Sequence, residues 1–158
     1  MNRRKLVASS KKPGRTKTLT FFRVGPERGK VILVDSPGYG ERGRPEWGEL
    51  FEQYLKSRRE LARVYLVINA KHGLNEADRI MLQDLDKRIQ SSRNGHIWSF
   101  QAIITKADLY GGDGISISSI KQSIFDIAPT CLPPIVTAPP LKLGINDVRK
   151  SMMEACDL

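Results

Sequence analysis

The chain has 158 residues, 40% of them hydrophobic, which is enough for one folded domain and argues against wholesale disorder. Its two cysteines, Cys131 and Cys156, fit neither a zinc-ligand spacing nor a disulfide framework, and no apolar run reaches the roughly 18 residues that a membrane span requires. The composition therefore excludes a disulfide-rich secreted domain and stable membrane insertion, while the net charge of +9 favours an anionic partner such as RNA.

The first 17 residues are basic, with seven Lys or Arg residues and no acidic residue. Pro13-Gly14 would break any helix there, so residues 1–17 are predicted to form a mobile basic segment. The acid-free composition resembles an organelle transit peptide and favours a mitochondrial location. A solvated basic loop of a cytoplasmic protein explains the composition equally well.

A hairpin and a helix are predicted next. Residues 19–23 and 30–35 are strand-like runs joined by the turn-forming sequence Gly25-Pro26-Glu27-Arg28-Gly29, which is typical of an antiparallel hairpin. After a loop rich in glycine and proline, apolar residues recur at helical spacing and predict a helix with one buried face. These residues are Trp47, Leu50, Phe51, Tyr54 and Leu55.

The rest of the chain alternates strands with helices. Buried strands are predicted at residues 64–68, 98–104 and 135–137. This alternation predicts a three-layer α/β fold with a mainly parallel sheet and one antiparallel edge hairpin. The whole of residues 18–158 is expected to form a single domain.

Three helices are predicted in this part of the chain. One follows Asn75, which is expected to cap it together with Asp78, and the others cover 118–125 and 145–155. The inner face of the first of them is predicted from its apolar residues, which are Ala77, Ile80, Met81, Leu85 and Ile89.

An aspartate and a glycine-rich loop directly follow the second predicted strand. Asp35 ends the apolar run, and Gly38 follows three residues later. Ligands bind at the carboxyl ends of strands in open α/β sheets. An aspartate placed there can hold Mg²⁺, directly or through water, and the Gly38 N–H can meet a terminal phosphate. The Thr16 hydroxyl lies in the preceding basic loop and is a candidate second Mg²⁺ ligand.

The sequence Thr105-Lys106-Ala107-Asp108 follows a later buried strand. A carboxylate at that sheet edge can accept two hydrogen bonds, from the N1–H and the 2-amino group of guanine, and adenine offers no such donor pair. The Lys106 stem can lie along the base. Thr137-Ala138 follows the last predicted strand and is expected to place a backbone N–H near the guanine oxygen.

Several short motifs occur in one order along the chain: Lys12-Pro13-Gly14-Arg15-Thr16, Phe21-Phe22, Asp35-Ser36-Pro37-Gly38-Tyr39-Gly40, Tyr54-Leu55 with Arg58-Arg59, His72-Gly73 and Thr105-Lys106-Ala107-Asp108. This ordered set covers nearly the whole chain and resembles the EngB family of GTP-binding proteins, in the Era-like and TrmE-like class of P-loop GTPases.

The resemblance implies a P-loop GTPase-like fold that binds GTP or GDP with Mg²⁺ and acts, expected as a monomer, in assembly of the large ribosomal subunit or on its rRNA. It gives Thr16 the role of switch I metal ligand and places Asp35 and Gly38 in switch II. Thr105, Lys106 and Asp108 would meet the base.

One motif of the family is missing from these residues. The family carries a Gly-x-x-x-x-Gly-Lys-Ser/Thr loop that cradles the phosphates. Gly25 and Gly29 are separated by only three residues, and Val31 stands where a hydroxyl is needed. We therefore expect an N-terminally incomplete fold that begins after the family's first strand and P-loop. Tyr39 stands where Ras-type GTPases have a water-orienting glutamine, so catalysis stays open.

Two other functions fit parts of the sequence. A nucleotide-independent RNA-binding or ribosome-binding module on a degenerate GTPase fold would use the basic residues for phosphate contacts. A dinucleotide-binding oxidoreductase would use Gly38-Tyr39-Gly40-Glu41-Arg42-Gly43, which matches G-x-G-x-x-G. The second alternative is disfavoured because Pro45 interrupts the helix that should begin there, and because the preceding strand belongs to a hairpin.

Overall fold

The computed structural model describes residues 19–25, 31–36, 45–92, 98–109 and 116–158. They belong to two compact units, Met1–Ser57 and Arg58–Leu158. Two strands and a helix make up the first unit, and strands alternate with helices along the second, as the sequence predicts; the hydrogen bonds define an antiparallel hairpin and a three-stranded parallel sheet. The α/β class expected from the sequence is confirmed.

The first unit contains the hairpin and one helix. Strand β1 (Thr20–Val24) pairs antiparallel with β2 (Val31–Asp35), in a register that sets Thr20 opposite Asp35. Helix α1 (Pro45–Ser57) follows, and the ring of its Tyr54 lies 6.2 Å from the Phe21 ring of β1, in a tilted aromatic contact. The β1–β2 hairpin and the helix at this position were both predicted from the sequence.

The second unit is built on a parallel sheet in the order β3-β4-β5. Its strands are β3 (Arg63–Asn69), β4 (Ser99–Thr105) and β5 (Leu132–Val136). Helix α2 (Glu76–Ser91) connects the first two strands, α3 (Ile117–Ile127) connects the last two, and α4 (Ile145–Ala155) follows the sheet. Because the three strands run parallel, they all end at the same edge of the sheet, and the helices return the chain to the opposite edge.

The core of the second unit lies where the sheet meets α2 and α3. Its fully buried large side chains come from β3, β4, α2 and α3. They are Ile68, Leu82, Leu85, Phe100, Ile104, Ile120 and Ile124. Burial of such side chains stabilises a fold by about 1.5–3 kcal/mol each. The core therefore holds β4 in the middle of the sheet and fixes where its carboxyl end lies.

Helix α2 is capped as predicted, and its buried face departs from the predicted one at Ile80. Asn75 accepts from the Asp78 N–H at 2.9 Å, and Asp78 accepts in return from the Asn75 N–H at 3.0 Å. The predicted inner position of Ile80 is wrong, because its side chain is 58% exposed while Asp78 and Asp86 are buried. Two carboxylates occupy the inner face because each accepts hydrogen bonds there, and an apolar count could not show that.

Strand β5 begins three residues earlier than predicted and includes both Pro133 and Pro134. Proline is tolerated in a strand at the edge of a sheet, where its missing N–H costs no ladder bond. The Gln101 side chain of β4 donates to the Pro133 carbonyl at 2.7 Å, and the β4–β5 register shifts between Gln101 and Ile103. This side-chain bond replaces a backbone bond where the ladder is irregular.

Helix α4 is attached to the sheet through Ser151, which is buried. The Ser151 hydroxyl donates to the Gln101 side-chain oxygen at 2.5 Å and accepts from Arg63 at 2.7 Å. The Tyr65 hydroxyl lies 2.8 Å from the Ser151 hydroxyl oxygen. Because each polar group has a partner, this cluster stabilises the position of α4 instead of opposing burial. Among the described helices, none is both long and apolar enough to cross a lipid bilayer.

Replacement of Asp86 tests the buried face of α2. The Asp86 carboxylate accepts from the Thr130 N–H at 2.9 Å, from the Thr130 hydroxyl at 2.6 Å and from Gln90 at 2.6 Å. We expect Asp86→Ala to lower the free energy of unfolding by about 2–4 kcal/mol in urea titrations, because three donors lose their acceptor. The control is Asp126→Ala on the exposed face of α3, which should change this free energy by less than about 0.5 kcal/mol. Equal effects of the two variants would contradict this role of Asp86.

The thiol of Cys131, just before β5, provides a test that depends on pH. Burial raises its pKa to about 11, the Asp86 charge adds to the rise, and a backbone hydrogen bond at Ala102 opposes it. The thiolate reacts with alkylating agents, so at pH 8 Cys131 should react about 100-fold more slowly in the folded chain than in urea. Between about pH 9 and 11 only the unfolded thiol ionises, so stability should fall as pH rises. Peptide mass spectrometry reads the rate, and equal rates in both states would refute the prediction.

Candidate functional site

The carboxyl end of β4 makes an abrupt turn that exposes two of the predicted site residues. Thr105 is the last residue of the strand, and its carbonyl accepts from the Ala70 N–H at 2.9 Å. Lys106 follows with a φ of 60°, in the left-handed region, and Ala107–Leu109 form a single 3-10 turn. The Lys106 and Asp108 side chains are both exposed. A non-glycine residue in this region costs roughly 1–2 kcal/mol, and such residues concentrate at functional sites.

The carboxyl end of β5 lies directly beside this turn. The Ala107 N–H donates to the Thr137 carbonyl at 3.1 Å, and the Thr137 N–H donates to the Ile104 carbonyl at 2.7 Å. Thr137 and Ala138 are buried. The two segments that the sequence singled out, residues 105–108 and 137–138, are therefore joined by hydrogen bonds at the carboxyl edge of the parallel sheet, where ligands bind in this class of fold.

The backbone donors of the β5 end already have acceptors. The Ala138 N–H donates to the Leu143 carbonyl at 3.2 Å, and the next two residues, Pro139 and Pro140, have no N–H to offer. A hydrogen bond from Ala138 to the guanine oxygen would therefore require exchange of the 3.2 Å bond to Leu143. The contact between Ala138 and the guanine oxygen stays a prediction.

The expected metal ligands lie in the other unit. Asp35 ends β2 opposite Thr20, with an exposed side chain. Thr16 and Gly38 lie outside the described residues. The Asp35 carboxylate fits Mg²⁺ by its chemistry, because Mg²⁺ takes oxygen ligands and combines one or two protein carboxylates with substrate phosphates and water. Within the described ranges no three His, Cys, Asp or Glu side chains cluster as a metal site.

Sequence reasoning missed the loop that supports the site after β5. Pro139–Leu141 form a 3-10 turn, Ala138 and Leu143 form an antiparallel bridge, and Gly144 has a φ of 70°. The paired prolines and the glycine at that spacing are turn signals. They indicated that the chain turns there, but not that the turn contacts the strand end before it.

This arrangement defines a class of protein, and comparison with known sequences agrees with it. A Thr-Lys-Ala-Asp turn bonded to the next strand end, at the carboxyl edge of a parallel sheet, resembles the base-binding edge of P-loop GTPases. The family model described as 50S ribosome-binding GTPase matches residues 1–100, so the class is that of the GTPases.

Within this class, the chain belongs to the EngB-type GTPases. It is 34% identical over 164 residues to a Rhodopseudomonas palustris (strain BisB18) protein described as probable GTP-binding protein EngB, covering 96% of this chain and 69% of the relative. A protein of the same description from Nitrobacter hamburgensis is 32% identical, covering 93% and 67%. One from Nitrobacter winogradskyi is 41% identical over 108 residues, covering 65% and 46%.

Proposed function

We propose that this chain is a guanine-nucleotide switch that binds the large ribosomal subunit, or its rRNA, during assembly of that subunit. The observation that carries the proposal is the hydrogen bond from the Ala107 N–H to the Thr137 carbonyl, 3.1 Å long. It joins the Thr-Lys-Ala-Asp turn to the end of β5, which is the pair of segments that base recognition needs. The relatives are described as probable GTP-binding proteins.

The residues of this edge suit recognition of guanine. The exposed Asp108 carboxylate can accept from the N1–H and the 2-amino group of the base, while adenine would leave the carboxylate without donors. The Lys106 stem offers an apolar surface along the base plane, and Thr105 ends the strand that fixes both residues. We assign Thr137 and Ala138 to the same base subsite.

The phosphate end of the proposed site depends on Thr16, Asp35 and Gly38. Mg²⁺, when bound with the nucleotide, supplies positive charge against the phosphates. Asp35 would hold the ion, and the Thr16 hydroxyl would be a second ligand. The Gly38 N–H would donate to the terminal phosphate, so that the loop after β2 would respond to whether that phosphate is present.

The ribosome partner is supported by charge and by the description of the family. The chain has 26 Lys or Arg residues and a net charge of +9, as expected for phosphate contacts with rRNA. The matching family model is that of 50S ribosome-binding GTPases. We further propose a mitochondrial location, which the acid-free basic composition of residues 1–17 supports and which import into isolated mitochondria tests. We also propose that the chain acts as a monomer.

Nucleotide binding and subunit binding are tested with the same protein. We expect the chain to bind a fluorescent GTP analogue in a saturable, Mg²⁺-dependent manner, with displacement by GTP or GDP but not by ATP. Co-sedimentation with large ribosomal subunits should be stronger with a non-hydrolysable GTP analogue than with GDP, because a switch must bind its partner differently in its two states.

Two results would contradict this switch function. One is no saturable GTP binding up to millimolar concentration. The other is subunit binding that does not change with the nucleotide and falls steeply with salt. The second result together with the first would favour the nucleotide-independent RNA-binding module.

Asp108→Asn tests the assigned base contact. The Asn side chain can accept only through its one oxygen, and its amide would face the guanine donors. We expect the ratio of GTP to ATP affinity to fall at least about 10-fold, since each tenfold step corresponds to about 1.4 kcal/mol. Asp126→Asn on the exposed face of α3 is the matched control and should leave the ratio unchanged. An unchanged ratio in Asp108→Asn would refute the assignment.

A further inference from the structure

A closed loop follows β5 and leads into α4. Ala138 and Leu143 exchange two backbone hydrogen bonds, each 3.2 Å long. Inside this ring the Leu141 N–H donates to the Ala138 carbonyl at 2.9 Å, and the Lys142 N–H donates to the Pro139 carbonyl at 3.0 Å. The chain then reaches Gly144, the residue before α4. The ring thus sets the position of Gly144 relative to the end of β5.

Gly144 touches the strand end so closely that no side chain fits. A Cβ atom added there would lie 2.0 Å from the Val136 carbonyl oxygen and 3.0 Å from the Thr137 Cγ2. The φ of Gly144 is 70°, which favours glycine. Lys142 in the same loop has a φ of 56° with an ordinary side chain, so left-handed backbone alone does not demand glycine here. The contact with the Val136 carbonyl does.

The strand end that Gly144 touches is the one that holds the base-recognition turn. Val136 precedes Thr137, whose N–H is bonded to Ile104 and whose carbonyl accepts the Ala107 N–H. Displacement of the Val136 carbonyl would rotate the peptide that carries the Thr137 N–H. The Ala107 N–H, which starts the turn that carries Asp108, would then lose its aligned acceptor.

We propose that Gly144 is a positioning residue for guanine recognition: by admitting close approach at Val136, it keeps the Thr137 carbonyl on Ala107 and so orients Asp108. The inference rests on the proposed function and deepens it. Gly144 itself acts only through Thr137 and Ala107, and the ring from Ala138 to Leu143 keeps it in place.

The test compares Gly144→Ala with Gly48→Ala. Gly48 is the matched control, because a Cβ added to it in α1 meets nothing within 4 Å. In Gly144→Ala we expect the Ala107 amide to exchange hydrogen at least about 10-fold faster, while the Leu66 amide in β3 keeps its rate. We also expect the ratio of GTP to ATP affinity to fall at least about 10-fold, with competition by inorganic triphosphate unchanged.

These readouts separate positioning from general stability. A merely structural role would lower the folded fraction and reduce GTP and ATP binding together, which leaves their ratio unchanged. Gly144→Asn is the second variant, because Asn tolerates left-handed backbone and isolates the contact with Val136. A folded variant with unchanged Ala107 exchange and an unchanged ratio would overturn the proposal.

Two further outcomes keep the inference apart from the proposed function. If the unmodified chain binds no GTP, the proposed function fails, and the exchange rates still decide whether Gly144 holds the Ala107 turn. If neither variant folds, hydrogen exchange of the unmodified chain tests the inference. Its Ala107 amide should be protected to the same degree as the Thr137 amide, and exchange at the rate of an unstructured peptide would overturn the inference.

Discussion

The hydrogen bond between the Ala107 N–H and the Thr137 carbonyl is the constraint on which the candidate site depends. This bond is 3.1 Å long and connects the ends of two neighbouring parallel strands. It lies at the carboxyl edge of the sheet, where open α/β sheets bind ligands. Lys106 adopts left-handed backbone to enter the turn that this bond holds. A strained residue persists only where its surroundings over-determine it, and here the Thr137 carbonyl and the Ala70 amide fix the backbone on both sides.

Buried polar groups determine how the helices sit on the second unit. Asp86 accepts two hydrogen bonds from Thr130 and one from Gln90, one turn further along α2. Ser151 connects α4 to both β3 and β4. Every described buried side-chain nitrogen or oxygen has a hydrogen-bond partner. Such satisfied groups fix orientation more strongly than apolar contacts, because a shifted partner leaves a buried group unsatisfied.

Much of the fold could be predicted because it depends on local sequence. Apolar runs and helical periodicity placed the α-helices and strands of the described residues, and the bounds of α4 agree with the prediction. The errors have a common cause. Ile80 was expected on the inner face of α2, but Asp86 is buried on that face and bonded to Thr130. Strand β5 was expected to start after the prolines, but the Gln101 side chain bonds to Pro133 within the strand. Both pairs are distant in the chain, so no local pattern reveals them.

The sequence by itself determined the class of fold, the hairpin, the cap of α2 and the position of the Thr-Lys-Ala-Asp turn after β4, because each depends on residue types at short spacing. Tertiary structure alone decided that the ends of β4 and β5 are bonded together, that the Ala138 N–H already has an acceptor, and that Gly144 must lack a side chain. These facts arise from backbone groups brought together by strand pairing. Every residue type carries the same carbonyl, and only the fold determines which N–H or Cβ it meets.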